Sequence, residues 1–105
     1  MGKDLEAMYY LGFSKQTINC YATLDTFSLV IASELAQAMG KTRTQVYELL
    51  KPLEEKGFVK RSDEDEGPAY FYSIPVEDAL DEFFQWQRQK VLQIIQRQRR
   101  DRQPR

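Results

Sequence analysis

The spacing of hydrophobic residues in the first quarter of the chain predicts two amphipathic helices. Leu5, Met8 and Tyr9 recur at helical spacing before Gly12, which predicts a short first helix. Ser14 is the expected N-cap of a second helix, because its hydroxyl can accept a hydrogen bond from a free amide of the first turn. The buried side of this second helix is predicted to comprise Ile18, Tyr21, Ala22 and Leu24.

A short apolar stretch separates the second helix from the third. Residues 27–31 are too few to form an independent unit, so they predict a small strand or an extended link. Ser33 is predicted to cap the third helix, which carries Leu35 and Met39 and ends at Gly40. Glycine suits the left-handed conformation that lies just beyond a helix end.

The fourth helix is predicted to begin at Thr42, almost directly after the third helix ends. Thr42 and Gln45 form a Thr-x-x-Gln capping box, in which each side chain satisfies a free backbone amide. The inward face is predicted to comprise Val46, Leu49, Leu50 and Leu53. The outward face is predicted to comprise Arg43, Thr44, Tyr47, Glu48 and Lys51. Pro52 is expected to kink this helix without breaking it.

A β-hairpin and a long helix are predicted in the second half of the chain. Gly57 is expected to end the fourth helix, and residues 58–62 and 69–74 predict two strands around a Gly-Pro turn. The acidic tip of this hairpin is Asp63-Glu64-Asp65-Glu66. From Val76 the pattern is helical again, and a continuous helix of about 25 residues would be roughly 37 Å long.

The order of these elements defines the expected fold class. Two helices joined by a tight turn and followed by a hairpin are typical of a winged helix-turn-helix. The predicted fold is mainly α with a small β-hairpin, a winged helix-turn-helix plus a long C-terminal helix. We expect a winged helix-turn-helix DNA-binding domain over residues 1–75 and a C-terminal dimerisation helix with a basic tail over residues 76–105.

The composition excludes most enzyme chemistry. The chain of 105 residues has no histidine and one cysteine, so zinc sites, histidine-based triads and Cys-His pairs are not expected. The carboxylates of the acidic tip are expected to be solvated. We therefore expect no catalytic residues, no metal and no cofactor. Cys20 is expected to be a buried structural thiol, with a redox sensor as the alternative.

The net charge of −1 conceals an uneven distribution. Up to Gln87 the chain has 8 basic and 15 acidic residues, and from Arg88 onward it has 7 basic residues and one acidic residue. The cationic tail either adds nonspecific attraction to phosphate or only improves solubility.

No apolar run approaches the roughly 18 residues of a membrane span, and the N-terminus lacks a signal peptide's apolar segment, so a cytoplasmic protein is expected.

The outward face of the fourth helix is the candidate DNA-binding surface. The second helix of a helix-turn-helix lies in the major groove, where arginine pairs with guanine and glutamine pairs with adenine. The predicted DNA-binding residues of this region are Lys41, Thr42, Arg43, Thr44, Gln45, Tyr47 and Lys51. The alternative interpretation is a polar face that is only solvated.

Six short motifs resemble the DNA-binding domain of the TrmB-like transcriptional regulators in order and spacing. They are Leu11-Gly12-Phe13-Ser14, Ala32-Ser33-Glu34-Leu35-Ala36, Val46-Tyr47-Glu48-Leu49-Leu50, Leu53-Glu54-Glu55-Lys56-Gly57-Phe58-Val59, Tyr72-Ser73-Ile74-Pro75 and Glu77-Asp78-Ala79-Leu80. The resemblance extends over roughly residues 5–84, and MarR-like proteins share the Leu-Glu-Glu-Lys-Gly type of helix ending.

The resemblance implies a prokaryotic DNA-binding regulator in which residues 42–51 open the recognition helix and the hairpin is the wing. Ser28-Leu29 replaces the family's usual Gly-Pro, which should alter only the entry to the helix-turn-helix. The acidic tip would repel phosphates, so any wing contact with DNA is expected through Lys60 and Arg61. The chain looks like a short form without the domain that binds sugars in long members, so no sugar effector is expected.

The last helix carries the candidate dimer interface. The predicted interface residues are Leu80, Phe83, Phe84, Trp86, Val91, Ile94 and Ile95. So much apolar surface on a helix that extends beyond one small domain normally marks an interface. The alternative is that the helix folds back on its own winged helix. The sequence also leaves open a pocket lined by Tyr9, Phe83 or Trp86, and it identifies no small-molecule effector.

These features favour a sequence-specific double-stranded DNA-binding transcriptional regulator that acts as a homodimer. Its two recognition helices would enter successive major grooves, roughly 34 Å apart, on a pseudo-palindromic site. A winged-helix protein-interaction module without specific DNA binding is the main alternative, and the acidic tip favours it. A third hypothesis is an antirepressor or nucleoid-associated protein that binds DNA without sequence preference.

Overall fold

Each predicted helix forms, and most helix ends follow the capping signals. The computed structural model describes residues 2–62 and 67–102, so the acidic tip lies outside the described residues. The helices are α1 (Gly2–Tyr10), α2 (Lys15–Asp25), α3 (Ala32–Met39), α4 (Arg43–Glu55) and α5 (Val76–Arg102). The strands are β1 (Val30–Ile31), β2 (Val59–Ser62) and β3 (Tyr70–Ser73).

The predicted N-cap of α2 is confirmed, whereas the predicted N-cap of α3 is wrong. The Ser14 hydroxyl accepts a hydrogen bond from the Thr17 amide at 3.1 Å. The N-cap of α3 is Ile31, which makes no side-chain capping bond, and Ser33 lies within the first turn. The reason is that Val30 and Ile31 pair with β3, so the extended backbone continues up to the residue before the helix.

A glycine and a capping residue set the turn between α3 and α4. Gly40 has a φ of 66°, the left-handed conformation expected from the sequence. The Lys41 amide donates to the Ala36 carbonyl at 2.9 Å, which satisfies a carbonyl at the end of α3. Thr42 is then the N-cap of α4, so the two helices are joined by a tight turn.

The other end of α4 is also well defined. The helix runs without a break through Pro52 to Glu55, as the sequence predicted, and the kink expected at Pro52 stays a prediction. After Gly57, the Phe58 amide donates to the Leu53 carbonyl at 2.8 Å, a bond that closes the C-terminal turn. The chain therefore enters β2 at a fixed position relative to α4.

Three antiparallel strands form one sheet in the order β1-β3-β2. Phe71 of the central strand pairs with Val30 on one side and with Arg61 on the other. The sequence predicted the hairpin of β2 and β3 but not that the short stretch before α3 pairs with it. Because β1 covers part of one edge of β3, the hairpin is attached directly to the start of α3.

A single hydrophobic core joins the helices to the sheet. The largest fully buried side chains are Phe58, Phe71, Met8, Leu24, Leu35, Leu50 and Leu53. Tyr21 buries its ring and donates its hydroxyl to the Ile74 carbonyl at 2.7 Å. The predicted inward residues of α2 and α4 are confirmed as buried, except that Ala22 and Leu49 are only half-buried.

Among the described residues, α5 contacts the rest of the chain near its beginning. Val76 and Ala79 are buried in the core, whereas all residues from Phe84 to Asp101 are exposed. The helix has 27 residues and does not fold back on the winged helix, and the longest dimension of the described chain is 62 Å. Within residues 2–62 and 67–102, no helix is long and apolar enough to cross a membrane.

Candidate nucleic-acid interface

Helix α4 presents a polar strip on a hydrophobic base. We define the α4 strip as Arg43, Thr44, Tyr47, Glu48 and Lys51, all of which are exposed. On the other side of the helix, Val46, Leu50 and Leu53 are at most 1% exposed. Because these buried residues recur at helical spacing, they fix the rotation of α4 and the direction of the strip. The predicted outward face is therefore confirmed.

The predicted capping box holds the start of α4. The Thr42 hydroxyl accepts from the Gln45 amide at 3.1 Å, and Gln45 Oε1 accepts from the Thr42 amide at 2.9 Å. A bidentate contact with adenine uses both the carbonyl and the amino group of a glutamine side chain. Since the Gln45 carbonyl points back to the cap, its amino group is the part of the side chain that can donate to a base or a phosphate without breaking the capping box.

Arg61 joins β2 to the C-terminal part of α4. Its guanidinium donates two hydrogen bonds to the Glu54 carboxylate, at 2.9 and 3.2 Å. The same guanidinium lies over the Phe71 ring, with Cζ 4.9 Å from the ring centroid. The Tyr47 ring meets Phe71 edge-on at a centroid distance of 6.2 Å. These contacts connect the wing to a member of the α4 strip.

Lys60 has its partner on α5. Its ammonium lies 3.6 Å from the Glu82 carboxylate, and both side chains are largely exposed. An exposed pair of this kind contributes about 1 kcal/mol at most, so a phosphate can compete for the lysine. Lys60 and Arg61, the two cations expected at the base of the wing, therefore each have an acidic neighbour within the chain. Contact with DNA through either side chain requires an exchange of partners.

Cys20 is a fully buried free thiol. Burial raises the pKa of the Cys20 thiol from 9.0 to about 11, while the positive charge of Lys41 has a smaller, lowering effect. The thiol is therefore protonated at neutral pH and reacts poorly as a nucleophile, which fits a structural role better than a redox role. Lys41 itself is half-buried, in contrast to the exposed Thr42 and the exposed α4 strip.

A cavity of about 330 Å³ lies between the end of α4, the start of β2 and α5. Its lining comprises Glu54, Glu55, Lys56, Gly57, Lys60, Glu82, Phe83 and Trp86. Two of the three residues that the sequence suggested for a pocket line this cavity, and Tyr9 does not. Cations, carboxylates and aromatic rings all face it, so the lining selects no single ligand charge. The described residues hold no cluster of three or more His, Cys, Asp or Glu that could bind a metal ion.

The residues expected at a dimer interface lie along α5. Phe84, Trp86, Val91, Ile94 and Ile95 are between 37% and 58% exposed, and Leu80 and Phe83 are half-buried. The Lys90 ammonium lies over the Trp86 ring at 5.3 Å from its centroid. We define the α5 seam as Leu80, Phe84, Val91, Ile94 and Ile95. It is an apolar surface with a polar gap near Gln87, and the single chain leaves most of it uncovered.

Three residues that shape this region had no signal in the sequence. Glu54, Phe71 and Glu82 become important only through Arg61 and Lys60, which are their partners in space. Predicting these pairs requires the register of β2 against β3 and the direction in which α5 leaves the sheet. Hydrophobic periodicity predicts neither the strand register nor the direction of the helix.

A helix-turn-helix with an exposed polar strip on its second helix and a short antiparallel wing defines a class of DNA-binding transcriptional regulators. A family model described as the sugar-specific transcriptional regulator TrmB matches residues 8–77. The chain belongs to this family, whose members are regulators and not enzymes. No curated protein sequence is similar enough to count as a relative.

Several solved structures of winged-helix regulators share this fold. TrmBL2, an archaeal chromatin protein described as showing a novel mode of DNA binding, has a TM-score of 0.62 at 18% identity, over 95% of this chain and 38% of its own. The transcriptional regulator SlyA has a TM-score of 0.61 at 16% identity, over 85% of this chain and 64% of its own. A mutant of Staphylococcus aureus MepR bound to an oligodeoxyribonucleotide has a TM-score of 0.57 at 16% identity, over 88% of this chain and 72% of its own. The chain thus spans less than two thirds of TrmBL2 and of SlyA, and at these identities the likeness concerns the fold.

Proposed function

We propose that this protein is a homodimeric transcriptional regulator that binds double-stranded DNA sequence-specifically, with α4 in the major groove. In this proposal residues 1–75 form the DNA-binding domain and residues 76–105 the dimerisation helix. The observation that carries the proposal is the α4 strip, because its side chains are exposed on a helix whose rotation is fixed by buried residues.

The chemistry of the α4 strip suits a base edge flanked by phosphates. Arg43 lies in the first turn, from which recognition helices contact bases, and its guanidinium matches the two acceptors of guanine. Lys51 lies two turns later and suits a phosphate. Within the described parts of the chain, neither cation forms an ion pair. Both are therefore available to a ligand without the loss of an internal contact.

The similar structures support DNA as the ligand. The MepR structure contains an oligodeoxyribonucleotide, and the TrmBL2 structure concerns a mode of DNA binding. We extend this ligand to the present chain because it shares their fold and exposes the α4 strip. The wing is assigned a smaller part, since Arg61 is held by Glu54 and Phe71, and Lys60 must leave Glu82 to reach a phosphate.

The α5 seam supports the homodimer. It places exposed aliphatic and aromatic side chains along a helix that projects from the winged helix, and burying them against a second copy would remove that surface from water. A dimer also presents two recognition helices, so a site with two half-sites gains affinity over a single half-site.

The test of DNA recognition is an Arg43→Ala variant titrated against a duplex selected from a random pool. We expect its affinity for the selected site to fall by about tenfold to a hundredfold, and its preference at one base pair to relax, because a bidentate arginine contact contributes about 1–3 kcal/mol. Lys51→Ala should weaken binding to all duplexes and reduce the salt dependence, as expected for one lost phosphate contact. Fluorescence anisotropy at several salt concentrations measures both effects.

Lys15→Ala is the matched control, because Lys15 is an exposed cation at the start of α2, outside both α4 and the hairpin. Its binding should equal that of the parent. If Arg43→Ala and Lys51→Ala also bind like the parent, the α4 strip is not the recognition surface. If the parent itself binds no duplex at moderate salt, a winged-helix protein-interaction module becomes the better hypothesis for its function. The ion pairs of Lys60 and Arg61 within the chain fit that hypothesis, because they neutralise the two cations of the wing.

A further inference from the structure

The charges on α5 are separated by sign along its length. The first part of the helix carries Glu77, Asp78, Asp81 and Glu82 and no basic residue before Arg88. The second part carries Arg88, Lys90, Arg97, Arg99 and Arg100, with Asp101 as its only acidic residue. Apart from the contact of Glu82 with Lys60, these side chains form no ion pair with the described residues. The helix is therefore acidic at one end and cationic at the other.

The α5 seam runs through both parts. At 100° per residue, Leu80, Phe84 and Val91 lie within about 40° of one another around the helix axis, and Ile95 lies beside them. Asp81 borders this seam in the acidic part, and Arg99 borders the same side of the seam in the cationic part. Asp78 lies on the far side of the helix. A partner seated on the seam therefore meets an acidic edge first and a cationic edge further along.

We propose that a second copy of this chain pairs with the α5 seam in the antiparallel direction. This inference rests on the homodimer proposed above and specifies its geometry. In the antiparallel direction the acidic part of each helix lies beside the cationic part of the other, and the two helix dipoles are opposed, which is favourable. In the parallel direction like charges meet at both ends, and such pairs are destabilising.

One register satisfies both the charges and the seam. If Asp81 lies beside Arg99 of the second copy, the midpoint of the pair falls at Lys90. Phe84 then faces Ile95 of the second copy, and the two Val91 side chains meet near the twofold axis. At 1.5 Å per residue, the two Val76 residues are about 42 Å apart along the axis. The two winged helices therefore lie at opposite ends of the helix pair.

Thiol cross-linking tests the direction. Phe84→Cys and Ile95→Cys variants are prepared separately, mixed under reducing conditions to allow exchange of subunits, and then oxidised. We expect a disulfide between the two different variants and little between identical ones, because two copies of residue 84 are about 18 Å apart along the axis. Parallel helices give the reverse result, with cross-links between identical variants only. The parent, with its buried Cys20, is the control and should remain uncross-linked.

Charge exchange provides a second test that leaves the seam intact. Asp81→Lys should raise the dimer dissociation constant about tenfold, because it places like charges at two symmetric contacts. Adding Arg99→Asp to the same chain should restore dimerisation. Asp78→Lys is the matched control, with the same charge change on the far side of the helix, and should have little effect. A dissociation constant that is insensitive to Asp81→Lys contradicts the antiparallel register.

The results separate this inference from the proposed function. A parent that stays monomeric at all concentrations in multi-angle light scattering overturns both the homodimer and its geometry. A dimer that cross-links only identical variants overturns the antiparallel direction and leaves the homodimer in place. Neither outcome affects the Arg43→Ala titration, which tests DNA recognition by the α4 strip.

Discussion

Arg61 is exposed, yet a bidentate bond to Glu54 and the face of the Phe71 ring hold its guanidinium. Gln45 is exposed as well, and its carbonyl is engaged in the cap of α4. The sequence identifies both residues as polar and suitable for DNA, and the structure changes what each can offer. Arg43 and Lys51 are different, because their charges have no such partner among the described residues.

Cys20 leads to a prediction at the scale of a single residue. The pKa of its thiol is about 11 in the folded chain and 9.0 at its ordinary value, so between these limits the unfolded chain releases a proton that the folded chain retains. Below pH 9 the thiol is protonated in both states, so its titration does not change the free energy of unfolding. As pH rises from 9 towards 11, the free energy of unfolding decreases. The expected slope for one such group is roughly 1.4 kcal/mol per pH unit.

Urea unfolding of the parent and of Cys20→Ala between pH 8 and pH 11 measures this effect. Tyrosines and lysines titrate in the same range in both proteins, so the difference between them isolates the thiol. The stability difference should be constant up to about pH 9 and then shift in favour of the alanine variant. A difference that does not change over this range contradicts the desolvation of the thiol.

At the scale of elements, the start of α4 depends on one hydroxyl. Thr42→Ala removes the hydrogen bond from the Gln45 amide and should lower the free energy of unfolding by about 1 kcal/mol. It should also weaken DNA binding if the α4 strip is the recognition surface, because the first turn carries Arg43. Chemical denaturation and anisotropy titration measure the two effects.

Thr44→Ala is the control for the stability measurement. Thr44 is exposed within the same helix and caps nothing, so alanine should leave the free energy of unfolding unchanged or slightly raise it. Equal stabilities of the two variants would show that the cap contributes nothing to the start of α4.

Elements were predictable from the sequence where their signals are local. The Ser14 cap, the left-handed Gly40 and the capping box of α4 each depend on residues a few positions apart. The start of α3 was not predictable from Ser33, because pairing of β1 with β3 decides it. The two residues of β1 carry no alternation pattern long enough to predict that pairing.

At the scale of the whole molecule, the proposed homodimer makes DNA affinity depend on the projecting α5. Ile94→Glu places a charge on the seam and should convert the homodimer to a monomer without unfolding the chain, because Ile94 is exposed in the single chain. Affinity for a site with two half-sites should fall by at least tenfold, because the two recognition helices are no longer linked. Sedimentation equilibrium and anisotropy titration measure the two effects.

Gln93→Glu is the matched control, since it adds the same charge at the adjacent position, away from the seam. It should leave the oligomeric state unchanged, and thermal melting should be similar for both variants. If Ile94→Glu remains a dimer, the seam is not the interface.

The sequence by itself determined the helices, the capped ends of α2 and α4, the hairpin and the rotation of α4, because each of these follows from interactions between residues close along the chain. It also determined the charge separation along α5. Only the tertiary structure decided that β1 joins the hairpin, that Glu54 and Glu82 are the partners of Arg61 and Lys60, and that the α5 seam is left uncovered. These features depend on strand register and on the direction in which α5 leaves the sheet, and both are set by packing between residues far apart in sequence.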